Sequence, residues 1–502
     1  MSSVNTNMGA VVSAANMAKF GRELDTSIER LSSGLRINSA KDDAAGMAIV
    51  SKMEAQVRGV TQAIRNATDS QKLIDTSEGA HVETLNILQR MRELAVQASN
   101  DTNQALDRSF LNAEATQLIA EIDRIASQTT WNGEKILDGN FTAKQFQLGA
   151  NENEKVTYSI DSAKSASIGN YATNGTSHVS SAVAGAVADT IASHTLTVSG
   201  YIGSSTVTVG ANNSAADAVA LINAKTADTG VTATGVTKVK IGDITTAADI
   251  AFTLGNGTSS ASVSASITDT TDIRALKDAI NAVAGTTGIS AEMSSASNAD
   301  IILTHSTGED IIIEGFDSGD TTDMDVTALD KDGATSGATA NTVNLDDTAG
   351  QASTDVVEAI IVGSIAVNSH KAFTVTSSDI TEVNNFFKVT ASNSGALSAI
   401  SAISLGTAAN AEAAITVIDG AINKINQSRA DLGAISNRLD STISNLTNVA
   451  TNVEGSMSNI RDADFSIETS KLTRSQILTQ AATSMLAQAN TSKQSILALL
   501  QG

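Results

Sequence analysis

The chain has 502 residues and a formal net charge of −22, and it contains neither cysteine nor proline. Its acidity argues against nucleic acid and anionic membranes as partners, no stretch reaches the roughly 18 apolar residues of a membrane span, and the missing cysteines exclude disulfides. With 41% hydrophobic but only 3% aromatic residues, the chain is expected to be ordered, with aliphatic, alanine-rich cores typical of long packed helices.

The first predicted element is an amphipathic helix over residues 4–35. Apolar residues recur there in steps of three and four, which places them on one helix face. We call the line of residues that faces a partner helix the seam, and its predicted members are Ala14, Met17, Leu24, Ile28, Leu31 and Leu35. Gly34 weakens the helix at its end, and Ser39 followed by Asp42 predicts the cap of a second helix.

The second helix is predicted to start in the stretch Asn38–Asp43, with Ser39 as its cap, and to run to about Ser99, and a third is predicted from about Gln104 to Gln128. Both repeat apolar residues at helical spacing, and the third is short enough to fold back on the second. Turn signals at residues 132–133 and 138–140, followed by the alternating Val156 and Tyr158, predict small β-hairpins beside these helices.

The composition changes between residues 165 and 405, where Ser, Thr, Ala, Gly, Asp and Val dominate and 25 acidic residues stand against 8 basic ones. Two similar segments, about 195–241 and 251–313, are each predicted to have the order ββαββ, which indicates an internal duplication. Further strands are predicted at Ala359–Val367 and Ala372–Val375, with partners that the sequence does not reveal.

The stretch Ile415–Ile460 carries the clearest periodicity in the chain. Its seam repeats every seven residues, at Ile418, Ile425, Leu432, Leu439, Leu446, Val453 and Ile460. A period of 3.5 sustained over about six heptads is typical of a coiled-coil helix. A last helix follows, and its predicted seam includes Leu478, Met485 and Leu499.

A helix of this length cannot bury its seam on itself, and only the first 130 residues or so have a matching period. The two ends of the chain are therefore expected to pack together. The predicted fold class is a mainly α, coiled-coil or helical-bundle hairpin of N- and C-terminal helices, with a β-rich, α+β central insertion.

Several sequence motifs resemble those of the bacterial flagellins. They are Leu31–Gly46, Gln89–Gln97, Ile460–Asp464 and Ser484–Asn490, and the similarity covers about 170 residues at the N-terminus and 95 at the C-terminus. The resemblance implies a structural subunit of the flagellar filament, used for motility, secreted unfolded through the flagellum's type III route and located outside the cell. It also accounts for a first segment without the features of a signal peptide. The hook-filament junction protein and an extracellular coiled-coil adhesin remain alternatives.

The resemblance also implies a domain organisation. Residues 1–42 and 461–502 would form the inner core of the filament, residues 43–165 and 406–460 a helical rod with β-hairpins, and residues 166–405 a variable insertion exposed to solvent. We expect the two terminal segments to be disordered in the monomer and to order only in the polymer. Their seams are thin and interrupted by Ser and Thr, so neighbouring subunits are needed to cover the remaining apolar surface.

The partners implied by the resemblance are further copies of the chain, the flagellar cap and hook-associated proteins, an export chaperone and the host Toll-like receptor for flagellin. From the sequence alone, the second helix would carry an ordinary charged face near residue 90. In the family this face packs between subunits and is bound by the receptor. Its residues here are Gln89, Arg90, Arg92, Glu93, Leu94 and Gln97.

No pattern of catalytic or metal-binding residues emerges. The five histidines are scattered and none belongs to an HExxH zinc motif, so neither an enzyme nor a cofactor nor a metal is predicted. The acidic run 317–325, followed by 330–333, lacks the spacing and closing glutamate of an EF-hand. It is interpreted as a solvated loop that binds calcium weakly at most.

Overall fold

The computed structural model describes residues 6–183, 191–294, 297–319, 322–335, 341–346, 356–379, 386–387 and 392–500. Contacts group the chain into two compact units. The first comprises Met1–Thr76, Thr142–Ser159 and Leu432–Gly502, and the second comprises Ser77–Phe141 and Ile160–Asp431. This grouping differs from the predicted three-part division, because each of the two longest helices contributes residues to both units.

Long helices precede and follow a β-rich central region along the chain, as the sequence predicted, and shorter helices lie within that region. They are α1 (Met8–Ser33), α2 (Ala44–Ser99), α3 (Ala105–Gln128), α4 (Ala215–Asn223), α5 (Thr226–Thr229), α6 (Arg274–Thr287), α7 (Ala408–Arg461) and α8 (Phe465–Leu500). Five of them, α1, α2, α3, α7 and α8, correspond to the helices predicted at the two ends of the chain.

Local capping chemistry sets the ends of the first two helices. The Asn7 side chain accepts a hydrogen bond from the Ala10 amide at the start of α1, and Gly34 ends that helix in the left-handed conformation, with φ of 73°. The predicted Ser39 cap of α2 is wrong. Asp43 instead accepts the Gly46 amide at 2.8 Å, because α2 begins only at Ala44.

The strands are short and pair in an antiparallel sense. Those before the central region are β1 (Thr130–Trp131), β2 (Glu134–Lys135), β3 (Lys144–Gln147) and β4 (Lys155–Tyr158). Asn132 and Gly133 connect β1 to β2 with positive φ angles of 49° and 83°, so this predicted hairpin turn is present. In the first unit, the Phe146 and Tyr158 rings stack across the β3–β4 pair with centroids 4.8 Å apart.

The central region contributes the remaining strands. They are β5 (Gly169–Asn174), β6 (His178–Val183), β7 (His194–Ser199), β8 (Ser204–Val209), β9 (Thr232–Gly242), β10 (Asp249–Gly255), β11 (Ser260–Ser266), β12 (Ile289–Met293), β13 (Ile301–His305), β14 (Ile311–Asp317), β15 (Met324–Leu329), β16 (Thr342–Leu345), β17 (Val356–Val362), β18 (Ser364–Ser369), β19 (Thr374–Ser377), β20 (Asn393–Ser394) and β21 (Ala396–Ala399).

Three sheets organise the central strands. One has the order β11-β10-β14-β17-β6, the second has β12-β13-β9-β18-β5-β21 with β15 and β16 attached to β9, and the third has β20-β19-β7-β8. They enclose two hydrophobic clusters, one packed against α6 and the other against α4. The central region therefore buries its own apolar residues.

The apolar run from Ala359 to Val367, whose partners the sequence left open, is central to this arrangement. Strand β17 pairs with β14 and β6, whereas β18 pairs with β5 and β9. Ile361 belongs to the cluster near α6, and its neighbours Ile360 and Val362 belong to the cluster near α4. A strand covered on both faces needs a continuous apolar run, which explains why no alternation was visible.

The predicted duplication has a structural counterpart. The side chain of Asn223, the last residue of α4, bonds both backbone groups of Ala233, at 2.9 and 2.8 Å. The side chain of Asn281, within α6, makes the same two bonds to Ala291, at 2.8 and 2.9 Å. The second segment has the predicted order ββαββ. The first does not, because its helix is followed by the short α5 and one long strand, β9.

Candidate interaction surfaces

The paired terminal helices α1 and α8 form the first candidate surface. They run antiparallel: Asn7 donates to the Ala489 carbonyl at 3.0 Å, while Ser27 lies beside Glu468 near the other end of the pair. Their observed seam consists of buried and half-buried residues, many of them small or polar. These are Ala10, Ser13, Met17, Phe20, Leu24, Ser27 and Leu31 on α1, and Glu468, Leu472, Ser475, Thr479, Ala482, Leu486 and Ala489 on α8.

Three residues of the predicted seam lie elsewhere. Ala14 is exposed, Ile28 is 48% exposed and Met485 is 63% exposed, so placing them on the seam of this pair was wrong. The prediction used only the spacing of apolar residues. It therefore missed that the polar residues Ser27, Glu468 and Ser475 occupy seam positions. Leu478 is half-buried, and Leu499 falls outside the residues whose side chains are described.

As a result, large apolar side chains remain on the outside of the pair. We use the name outer apolar face for all of these exposed side chains, which do not share a single side of either helix. It comprises Met8, Val11, Val12 and Ile28 on α1, and Phe465, Ile467, Ile477 and Met485 on α8. Each is between 48% and 68% exposed, and several large apolar side chains exposed on one helix pair indicate a region that binds other proteins.

Glu468 is the centre of a polar layer inside the pair. Its carboxylate is buried, accepts the Ser27 hydroxyl at 3.1 Å and the Lys471 ammonium at 3.1 Å, and lies 3.9 Å from the Arg30 guanidinium. A buried charge is tolerated only when it is paired and hydrogen-bonded, so a shift of one helix along the other is disfavoured. The layer therefore stabilises one register of α1 against α8.

The α7 seam is covered unevenly. Ile418, Ile425, Leu432 and Leu439 are at most 2% exposed, whereas the later members, Leu446, Val453 and Ile460, are half-buried. On the N-terminal side, Leu24, Leu31 and Leu35 are also half-buried. The predicted seam residues are thus most buried from Ile418 to Leu439 and more exposed to solvent toward the two ends of the chain.

The second candidate surface lies on α2 and α3. Arg90 donates to Glu93 at 3.0 Å on its own helix and to Glu114 on α3 at 3.0 Å. These two hydrogen bonds raise the pKa of Arg90 further above its usual value. The Arg90 side chain is 50% exposed, so it links the two helices and still presents charge to solvent.

The other predicted residues of this face divide by burial. Gln89, Glu93 and Gln97 are exposed, and Arg92 bonds Asp419 on α7 at 2.7 Å. Leu94 is only 1% exposed, so its assignment to the exposed face was wrong. A residue four positions after Arg90 was expected to share its face. Residues spaced by four are displaced around the helix axis, however, and Leu94 lies on the buried side with Met91 and Ala95.

Sequence reasoning missed the apolar part of this surface. Leu106 and Phe110 on α3 are 64% and 65% exposed, and Val96 on α2 is 48% exposed. Leu106, Phe110 and Glu114 are spaced by four residues, so they form one stripe that leads to the partner of Arg90. The signal was an apolar pair on the side of α3 opposite its buried Ala115 and Ile122.

The histidines do not assemble into a site. His81 is buried on α2, with its Nε2 atom 3.4 Å from the Ser428 hydroxyl, and burial lowers its pKa to about 4. His178 is buried in β6, where desolvation likewise lowers its pKa to about 4. Within the described parts of the chain, no three His, Asp or Glu side chains are grouped closely enough to bind a metal ion.

The acidic run also lacks a metal geometry where it is described. Asp317 accepts the Gly319 amide at 2.9 Å and Asp330 accepts the Ser177 amide at 3.1 Å, so both carboxylates serve the backbone. Residues 320–321 of this run lie outside the described residues.

Among the helices that are described, none is both long enough and apolar enough to cross a membrane.

Comparison with known proteins assigns the chain to a family. Three family models match it: the bacterial flagellin N-terminal helical region at residues 4–142, the C-terminal helical region at 415–500, and the flagellin hook IN motif at 249–307. The B-type flagellin of Pseudomonas aeruginosa is 35% identical, and a flagellin of Salmonella typhimurium is 34% identical, each over 99% of both chains.

A solved structure of FliC from Burkholderia pseudomallei is a structural neighbour at 21% identity. It covers 73% of this chain and 99% of its own, with a TM-score of 0.29. The assignment therefore depends on the sequence matches, which extend over the whole chain and favour a filament subunit over a hook-filament junction protein or an adhesin. The chain belongs to the bacterial flagellins, the structural proteins that form the extracellular flagellar filament.

Proposed function

We propose that this chain polymerises through its terminal helices into the filament, with the central insertion of residues 166–405 facing solvent. It acts as a structural subunit rather than an enzyme. One observation carries the proposal: the outer apolar face of α1 and α8 is exposed although each helix has a partner. Covering that face with other copies removes apolar side chains from water, which favours association.

The insertion has no comparable need for a partner. Its two hydrophobic clusters are closed by its own sheets and helices, and it carries most of the chain's excess negative charge. Surfaces of one charge repel each other and remain soluble, so the insertion is suited to the outside of a polymer.

The test is seeded assembly of purified chain, followed by light scattering and electron microscopy. Ile477→Ser with Met485→Ser should raise the critical concentration for elongation, because both residues lie on the outer apolar face. Ile202→Ser is the matched control, since Ile202 is 55% exposed but belongs to the insertion. Equal elongation by the wild type, the Ile477 and Met485 double variant and the Ile202 control would contradict the proposal.

We also propose that the α2 and α3 surface is bound by the host Toll-like receptor for flagellin. The arrangement supports this, because Arg90 and Glu114 lie beside the exposed Leu106 and Phe110. Large apolar side chains next to an arginine are typical of binding hot spots. The flagellar cap, the hook-associated proteins and an export chaperone are the remaining proposed partners, and the terminal helices are where we expect them to bind.

Arg90→Ala should weaken receptor signalling and, because the same face is proposed to pack between subunits, filament assembly as well. The control is Arg124→Ala, which removes an arginine of α3 that bonds Glu121 on its own helix. An unchanged response to the Arg90 variant in a cell reporter assay would count against receptor binding at this surface.

A further inference from the structure

The sequence contains three Asn-Gly pairs, at residues 132–133, 174–175 and 256–257. In such a pair the backbone nitrogen of the glycine can attack the side-chain amide carbon of the asparagine, because glycine has no side chain to hinder the approach. The rate depends on how the fold holds these two groups. The three pairs are held in three different ways, so the structure ranks their reactivity.

Asn256 and Gly257 lie in the turn between β10 and β11. The Asn256 Oδ1 atom accepts hydrogen bonds from the backbone amides of Thr258 at 3.0 Å and of Ser259 at 2.8 Å. These bonds fold the side chain over Gly257, which lies between the asparagine and the two donors. Gly257 is exposed, and its nitrogen donates no backbone hydrogen bond within the described residues. The carbonyl group to be attacked is therefore held in place while the attacking nitrogen is free.

Each of the other two pairs lacks one of these features. Gly175 is buried and its nitrogen donates to the Ile365 carbonyl at 2.6 Å, so the attacking atom of the 174–175 pair is occupied. Asn132 and Gly133 form the exposed β1–β2 turn, but across the described ranges the Asn132 side chain makes no hydrogen bond. The side-chain amide of Asn132 is thus accessible but is not held for reaction.

We infer that Asn256 is a site of self-modification, which converts it to aspartate or isoaspartate. The Gly257 nitrogen loses its proton to solvent and forms a bond to the side-chain carbon of Asn256. The bond from that carbon to Nδ2 then breaks, and Nδ2 takes up a proton and leaves as ammonia, so a succinimide ring remains. Water opens the ring at either carbonyl. The balance is one water consumed and one ammonia released, with no change of oxidation state.

The two backbone amides favour this reaction because of where charge develops. When the nitrogen adds to the side-chain carbon, negative charge develops on Oδ1, which already accepts the amides of Thr258 and Ser259. Hydrogen bonds to a charged acceptor are stronger than those to a neutral one, so the donors stabilise the transition state more than the ground state. Preorganised backbone amides act in the same way in the oxyanion holes of enzymes.

The products change the turn in two ways. Both add a negative charge, and isoaspartate also adds a carbon atom to the main chain, inside a turn that the bond from the Asn256 nitrogen to the Ser259 carbonyl closes at 3.0 Å. The reaction consumes only water, so it can proceed outside the cell, where the filaments of this family are located. It does not depend on the proposed polymerisation.

The test is to incubate the purified full chain at neutral pH and to follow the three asparagines by peptide mass spectrometry, with isoaspartyl methyltransferase labelling to detect isoaspartate. A parallel sample is kept unfolded in guanidinium chloride. In the folded chain Asn256 should convert about tenfold faster than Asn132, because each donor bonds a charged oxygen more strongly than a neutral one, and Asn174 should be slowest. Unfolding should slow Asn256 and bring the three rates together.

Thr258→Pro removes one of the two donors, and Thr258 has the negative φ that proline requires. Conversion of Asn256 should slow severalfold in this variant, while Asn132 in the same molecule is unchanged. The matched control, Thr258→Ala, keeps the backbone amide and should convert like the wild type.

Two results would overturn the inference: a folded wild-type chain in which Asn256 converts no faster than Asn132, or a Thr258→Pro chain, shown by circular dichroism to be folded, that converts at the wild-type rate. If the proline variant does not fold, the wild-type comparison decides alone. An Asn256 that reacts more slowly in the folded chain than in guanidinium chloride would then reject the role of the two amides.

Discussion

The terminal helix pair and the central insertion treat their apolar residues in opposite ways. In the insertion, Ile361, Leu303 and Phe386 are fully buried and belong to closed clusters. In the terminal pair, Phe465 and Met485 are more than 60% exposed, while Ser27 and Glu468 are buried. A region that buries polar side chains and exposes large apolar ones is not optimised for stability as an isolated monomer.

The difference indicates which segment of a polymer subunit provides the free energy of association. The insertion completes its fold within one chain, so its sequence is free to vary as long as its cores close. The terminal pair has a thin seam, and its exposed apolar side chains become buried only if other copies cover them. Assembly and solubility are thus assigned to different segments of the same chain.

The largest effect should come from removing either region. A chain without residues 1–42 and 461–502 should form no filaments, whereas joining Lys164 to Ala409, which removes the insertion, should leave assembly intact. Sedimentation after seeding measures both. A second junction that retains Ser165, which Asp123 binds at 2.8 Å, controls for loss of local structure. Loss of polymerisation in a folded chain without the insertion would break the comparison.

Amide hydrogen exchange sharpens the comparison within the intact chain. The terminal segments form α1 and α8 in the structure, and the prediction that they order only in the polymer stays a prediction. We expect the amides of residues 24–35 and 478–499 to exchange rapidly in the monomer and to become protected in the filament. Strands β17 and β9 should be protected in both. Strong protection of the terminal helices in the monomer would refute the expectation.

Substitutions at matched isoleucines should separate the two regions by stability. Ile361→Ala creates a cavity in the insertion, where the side chain is fully buried, and should lower the free energy of unfolding by about 2–5 kcal/mol. Ile28→Ala should change monomer stability by less than about 0.5 kcal/mol, because the side chain is 48% exposed. Urea unfolding measures both, and similar losses would show that the regions do not differ as described.

The insertion should lose stability in acid through a buried histidine, a group that the terminal pair lacks. Burial lowers the pKa of His178 from 6.5 to about 4, so the folded state binds fewer protons than the unfolded state between these values. Stability from this group is complete above pH 6.5 and falls by about 3 kcal/mol as the pH drops to 4. Segments 1–42 and 461–502 contain no histidine and lack this dependence.

His178→Leu provides the test, with the slope of unfolding free energy against pH as the readout. The slope between pH 6.5 and 4 should become shallower in the variant, whatever its absolute stability at pH 8. The matched comparison is His305→Leu, since the pKa of His305 is also lowered by burial but its Nδ1 atom lies 3.1 Å from the Thr307 hydroxyl. An unchanged slope in the His178 variant would contradict the assignment.

The sequence by itself determined the helices at both chain ends, the hairpin at residues 132–133 and the presence of a β-rich insertion between them. These features depend on local signals: heptad spacing, capping residues, and turn residues that accept positive φ. The family motifs in Leu31–Gly46 and Ile460–Asp464 added the function. In each case the information lies within a few turns of chain, where a residue's neighbours in sequence are also its neighbours in space.

Only the tertiary structure decided which residues lie inside. Ser27 and Glu468 are seam residues because they form a hydrogen bond with each other across two helices. With these residues in the seam, Ile28 and Met485 lie on the surface. Leu94 turned inward and Phe110 outward for the same kind of reason, since burial depends on the element packed above a residue. The partners of β17 and β18 were equally hidden, because pairing between strands more than 100 residues apart leaves no local trace.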